Sequence, residues 1–259
     1  LAQVKPIEAR DGIAFEQVVT RVAGLLSPDA VVTADAGTFA TGWSMTLGLF
    51  RVAFLVMLER TLSQFMKGVF QTEILRAPPL DNAIKLLALA MVFESLLPSM
   101  LAGATALTLT SLLIARFCFW KPLVAMRRLD VAIMYLGYLA LVSQLLLDGL
   151  GRFLDLHWIG TLPVHLFTFA VMGLIIPAMI VRIANGHTGR KVVFGTADKA
   201  VLWIMIAAFV VRVLVPQLAP ERYPLWIHIA ACCWTLGFGL LGWRYIPFLL
   251  APRIDGKEH

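Results

Sequence analysis

Five histidines are spread over 259 residues, and two of them, His165 and His228, stand about one turn inside long apolar segments, each near the same end. A neutral imidazole ligates transition metals, haem iron and copper among them, and imidazoles from different helices can hold a metal between them. Arg212, Gln144 and Asp148 fall toward that same end of their own segments, and Arg51 interrupts the first one. Guanidinium groups so placed can pair with carboxylates. Ionisable groups inside apolar spans are expensive and so are candidates for function. Each also has a plainer reading. His228 beside Trp226 fits an interfacial residue, Arg212 can snorkel to a headgroup layer, and Glu94, one turn before Pro98, can reach the interface. Met172 and Met179, at i and i+7, read as packing, as do the adjacent Cys232 and Cys233, whose side chains diverge on a helix.

Elements long enough to position these groups must be membrane helices. Apolar residues make up 59% of the chain and charged residues 15%, with a mean hydropathy of +0.82; a soluble domain has about 45–50% and about 25%. The reading is an all-α polytopic membrane bundle of about six to seven transmembrane helices, with the lipid bilayer as partner and a short non-membrane segment in front. Seven apolar stretches qualify, at roughly 43–58, 83–97, 99–116, 129–150, 161–182, 200–217 and 225–246; about 20 residues cross a hydrocarbon core. Pro98 separates the second and third as a hairpin, because it cannot continue the preceding helix.

The formal charge of +6 is distributed as a topology signal and not as a nucleic-acid stripe. Alternate loops and the tail carry Arg60, Lys67, Arg76, Arg116, Lys121, Arg127, Arg128, Arg182, Arg190, Lys191, Lys199, Arg244, Arg253 and Lys257, whereas the loops between them carry Arg152 and Arg222. The positive-inside rule puts the first set, with the C-terminus, in the cytoplasm. Trp158, Tyr223, Trp226, Trp243 and Tyr245 fall near span ends, where aromatic belts belong. Three cysteines in apolar segments give no disulfide framework and no zinc pattern.

Two segments ask for separate readings. In "RIANGHTGRK" (182–191), Asn185–Gly186 can supply the left-handed residue that ends a helix, and the basic groups suit a helix C-terminus and an anionic leaflet; no phosphate-cradling GxxxxGK[ST] occurs. Residues 1–41 have the texture of a soluble α/β fragment: an amphipathic "DGIAFEQVVTRVAGLL", then "SPDAVVTADAGTFA" as a turn, a short strand and a Gly turn. The chain thus divides into 1–41, foreign in character, and the membrane region 43–259.

The stretch "HLFTFAVMGLIIPAMIVRIANGHTGRKVVF" (165–194) resembles the hallmark of the NnrS family, "WRYIPFLLAPRIDGKEH" (243–259) resembles that family's C-terminal end, and "ERTLSQFMKGVFQ" (59–71) its mid-chain loop. The resemblance covers about residues 45–259. It implies a bacterial inner-membrane protein of denitrification and nitric oxide stress that carries haem and copper, with nitric oxide or a metal-nitrosyl species as its small partner. On the matching positions it picks out His165, Arg182, Gly186, His187, Gly189 and Arg190, and in the tail Arg244, Tyr245, Pro252, Arg253, Asp255 and Gly256. His165, then His187 and His228, are the candidate metal ligands; Arg212, Arg51, Arg182 and Arg190 are the candidate cofactor-binding cations. NnrS proteins have about twelve spans and a histidine-rich "WHxHEM"-type motif in their first half, which this sequence lacks. Residues 15–43 resemble the opening strand of the pyrophosphate-binding domain of thiamine-diphosphate enzymes, without the cofactor motif.

The residues compose no catalytic constellation. A second function class stays open, a transporter or channel in which Arg51, Arg212 and Gln144 line a path for a small anion or a metal-linked solute. Against it, the chain has no pair of broken-helix repeats.

Overall fold

A computed structural model describes residues 36–154 and 159–256. The chain divides into two units, Leu1–Trp43 and Ser44–His259; residues 1–35 lie outside the described residues. Among the described residues every regular element is helical.

Helix α1 runs Ala36–Phe70. The stretch 36–40, expected as part of a strand and Gly turn, is its first part. Propagation from a long apolar helix adds a hydrogen bond per residue, and the isolated Gly37 weakens that only modestly. Arg51, Leu55, Leu58, Leu62 and Met66 are buried along one stripe, the three-and-four spacing of a helix face. Helix α2, Pro78–Ala90, opens on prolines suited to the first turn, then tightens into a 3₁₀ segment, Met91–Leu96. The expected span at 83–97 is therefore a helix that starts earlier and changes winding at Met91. The cause is local crowding: a Cβ on Gly48 of α1 would lie 2.6 Å from the Val92 Cα, so the two backbones meet without a side chain between them. Pro98 then precedes α3, Ser99–Phe119, as the hairpin reading requires.

After a left-handed Lys121 and a short turn at Pro122–Ala125, α4 spans Leu129–Gly151. Helix α5, Leu162–His187, contains a π-wound stretch at Leu166–Met172. Helix α6, Thr196–Leu218, contains another at Val210–Leu214. A 3₁₀ turn, Pro220–Arg222, leads into α7, Tyr223–Leu250. Five of these helices, α3 to α7, are long and apolar enough to cross a membrane. Helix α2 stops after 13 residues, and α1 carries Arg51, Glu59, Arg60 and Lys67.

The antiparallel succession packs α3 on α4, α4 on α5, α5 on α6, and α7 against both α6 and α5. Helix α4 is the hub, with 72% of its most apolar window buried, against 17% for α7. Lipid is as apolar as leucine, so close packing of small residues holds such helices together. Ala102, Gly103 and Ala106 form the buried face of α3, and the opposing Gly149 of α4 lets Leu107 and Ala106 approach.

Candidate functional site within the membrane bundle

The two π-wound stretches lie against each other, and the candidate residues His165 and Arg212 stand there. His165 immediately precedes the first stretch and Arg212 lies within the second. A π turn inserts a residue into the helical ladder, which re-aims side chains and recurs at functional sites. The result is a contact between α5 and α6: Arg212 Nη2 lies 2.7 Å from His165 Nε2. A guanidinium only donates, so Nε2 accepts, and the imidazole is neutral with its proton on Nδ1. Arg212 is buried and also lies over Tyr223, 5.3 Å from the ring centroid. An aromatic wall leads inward from the imidazole, through Phe169 to Trp234 (centroids 5.0 Å apart) and Phe238 (5.2 Å). The Trp234 Nε1 proton is buried without a partner.

A second centre joins α1, α2 and α4. Arg51, 1% exposed, donates from Nη1 to Glu94 Oε2 at 3.0 Å, from Nη2 to Asp148 Oδ2 at 3.3 Å and from Nε to Gln144 Oε1 at 3.0 Å. Arg152 pairs with the same two carboxylates at 3.4 and 3.6 Å. Two guanidinium groups and two carboxylates leave this centre neutral. Glu94 is buried, and Arg51 gives it a partner that the sequence alone does not reveal.

The basic end carries the rest. Arg182 donates from Nη2 to Asp130 Oδ2 at 2.9 Å, Arg128 pairs with Asp130 at 3.1 Å, and the Arg182 guanidinium stacks 3.8 Å over Phe65. Buried Arg116 of α3 donates to the Tyr138 hydroxyl at 3.1 Å and pairs with Asp81 at 3.5 Å; Glu59, bound by Arg76 and Lys85, lies beside it. The Tyr245 hydroxyl donates to Asp198 Oδ1 at 2.8 Å and accepts from Asn185 Nδ2 at 3.3 Å, tying α7, α6 and α5 together. Arg190 lies 4.1 Å over Phe248.

Helix α5 continues through His187, so the left-handed residue is not at Asn185–Gly186. It is Gly189, at φ +74°. Asn185 instead turns inward, donating to the Val181 carbonyl at 2.8 Å. The helix runs on because nothing at 185–186 breaks its ladder, while 189 must approach the tail: a Cβ there would lie 2.7 Å from Asp255 Cγ. Ile254 N donates to Thr188 O at 3.2 Å, and Arg253 Nη1 to His187 O at 3.1 Å. Asp255 hydrogen-bonds Arg253 and holds its guanidinium above its ordinary pKa.

The structure thus brings His165 to Arg212, and Arg51 to Gln144 and Asp148, but gives His165 and His228 no shared contact. His228 and His187 are exposed, on α7 and at the end of α5. Cys232 is exposed and Cys233 half-buried. Among the described residues no group of three or more His, Cys, Asp or Glu could hold a metal ion. Sequence reasoning missed Asp130 and Asp198, and it named Glu94 and Tyr245 without their buried partners. A carboxylate in the first turn of an apolar helix is the signal that marks both aspartates.

Helices of this length and apolarity, knotted by intramembrane ion pairs, define a multi-pass helical membrane protein. The NnrS family model, described as "NnrS protein", matches residues 15–253. The chain belongs to the NnrS family. The match begins inside the segment whose texture differs from the rest. No curated protein and no solved structure matches the chain.

Proposed function

We propose that this chain acts in the response to nitric oxide in a bacterial inner membrane, that it is haem- and copper-associated as the NnrS resemblance implies, and that its chemistry centres on His165. The observation that carries this reading is the His165–Arg212 pair, a neutral imidazole and a guanidinium set inside the bundle at two adjoining π turns.

The donor types fit a haem. His165 would offer a ring nitrogen to the iron and Arg212 a partner for a propionate, once the guanidinium leaves Nε2. Among the described residues no group of three or more His, Cys, Asp or Glu gathers there, so this centre is assigned to haem alone and the copper association rests on the family resemblance. Haem iron, when bound, supplies a position at which nitric oxide, small and apolar, can bind. The protein's own residues do the rest. Before haem binds, Arg212 holds the imidazole neutral and fixes its ring direction, and Phe169 and Trp234 wall the centre with apolar surface that keeps water out. The loops rich in arginine and lysine, with the C-terminus, face the cytoplasm in this reading.

The anion-path alternative is weakened by Arg51. Its charge is already met by Glu94 and Asp148, so it has no free cation to offer a passing anion. The test is the visible absorption of the purified chain beside that of His165→Ala. Loss or displacement of the Soret band supports His165 as the iron's ligand; an unchanged band removes it from that role.

A further inference from the structure

At the basic end, a cavity of about 510 Å³ opens between α1 and α5, with Val192 and Arg253 at its edge. Its wall changes character along its length. Along α5 it runs from the apolar Met179 to the polar His187, with Phe65 and Ile183 adding apolar surface and Gln64, Arg182 and Arg253 adding donors. From Met179 to His187 is eight residues of helix, about 12 Å at about 1.5 Å per residue, which matches a polar headgroup followed by the start of an acyl chain. No aspartate or glutamate lines the cavity among the described residues.

The electrostatics select the sign of the ligand. Arg182 is nine-tenths buried, yet its Nε proton has no hydrogen-bond partner. Asp130 is shared between Arg182 and Arg128, which leaves one positive charge over. Arg253, at the edge of the cavity, is paired with Asp255. Arg190 and Lys191 follow directly in sequence, and Arg190 Nη1 is likewise buried without a partner. A buried charged donor left without a partner is costly, so an acceptor at this place is favoured.

We propose that this cavity binds an anionic phospholipid, its phosphodiester against Arg182 and His187 and its acyl chain along Ile183, Met179 and Phe65. The charge surplus and the graded wall favour this occupant over a zwitterionic lipid or a free anion, and the leaflet beside a cluster of arginine and lysine is the anionic one. The site is separate from His165 and needs no metal.

The full chain in detergent would be titrated with dioctanoyl-phosphatidylglycerol, dioctanoyl-phosphatidylcholine and inorganic phosphate, reading the thermal midpoint and lipid retention by native mass spectrometry. The expected result is a raised midpoint and one retained lipid with phosphatidylglycerol, and neither with the other two probes. Arg182→Gln should weaken binding at least about tenfold, the loss of one charge-assisted hydrogen bond. Should that variant fail to fold, Ile183→Trp fills the groove from an exposed position and should abolish retention while leaving the ion pairs alone. Equal effects of the two lipids, a shift reproduced by phosphate, or full retention in Ile183→Trp would each overturn the proposal.

Discussion

His165 Nε2 accepts a hydrogen bond from Arg212 Nη2 at 2.7 Å, across two helices and 47 positions of sequence. Arg212 lies within one π turn and His165 directly before the other, and neither has another charged partner among the described contacts. The pair should therefore behave as a unit. His165→Ala and Arg212→Ala should each destabilise the protein, and the double variant should lose less than the sum of the two. A hydrogen bond to a charged group contributes about 1.5–3 kcal/mol, so a coupling of about 1–2 kcal/mol is expected from a double-mutant cycle on unfolding in detergent. Additive losses would show that the contact carries no energy.

Arg51 has three partners on two helices, so removing it should be more damaging than removing any one of them. Arg51→Met leaves Glu94 and Asp148 to share Arg152 alone, one buried negative charge over, and about 3–5 kcal/mol of destabilisation is expected. Glu94→Gln keeps the hydrogen bond and should be milder. Comparing the two thermal midpoints decides; equal losses would mean that Arg51 is not the organiser of the centre.

The helical bundle is readable in the sequence because apolar length and loop charge are properties of contiguous residues: the five long spans lie within a few positions of where periodicity puts them, and Pro98 ends its segment as expected. What fails to show is what depends on a neighbour distant in sequence. The 3₁₀ change at Met91 comes from Gly48, Glu94 is buried because Arg51 lies opposite, and the left-handed glycine is 189, because the tail at Asp255 must lie against it. His165 and Arg212 were each visible as candidates. Their pairing was not, since a π turn changes which way a residue points without leaving a mark in the apolar pattern.

Gly189 joins the two segments that carry the resemblance, since the loop after α5 and the tail after α7 meet there. Gly189→Ala would place a Cβ at positive φ, at about 1–2 kcal/mol, and would push on Asp255. The variant should release the tail, seen as faster tryptic cleavage at Arg253 with the bundle's melting little changed. Cleavage at the parent rate would mean that the tail is held elsewhere.

The orientation can be checked by labelling. In a chain with Cys118, Cys232 and Cys233 replaced by alanine, Gly256→Cys should react with a membrane-impermeant maleimide only after cells are opened, and Glu221→Cys should react in intact cells. The reverse pattern would invert the topology.

The most direct measurement is the visible absorption spectrum of the purified chain, read together with that of His165→Ala. The account predicts a Soret band in the parent that is lost or displaced in the variant while the fold persists by circular dichroism. A parent chain without haem, or a band unchanged by the substitution, would contradict it.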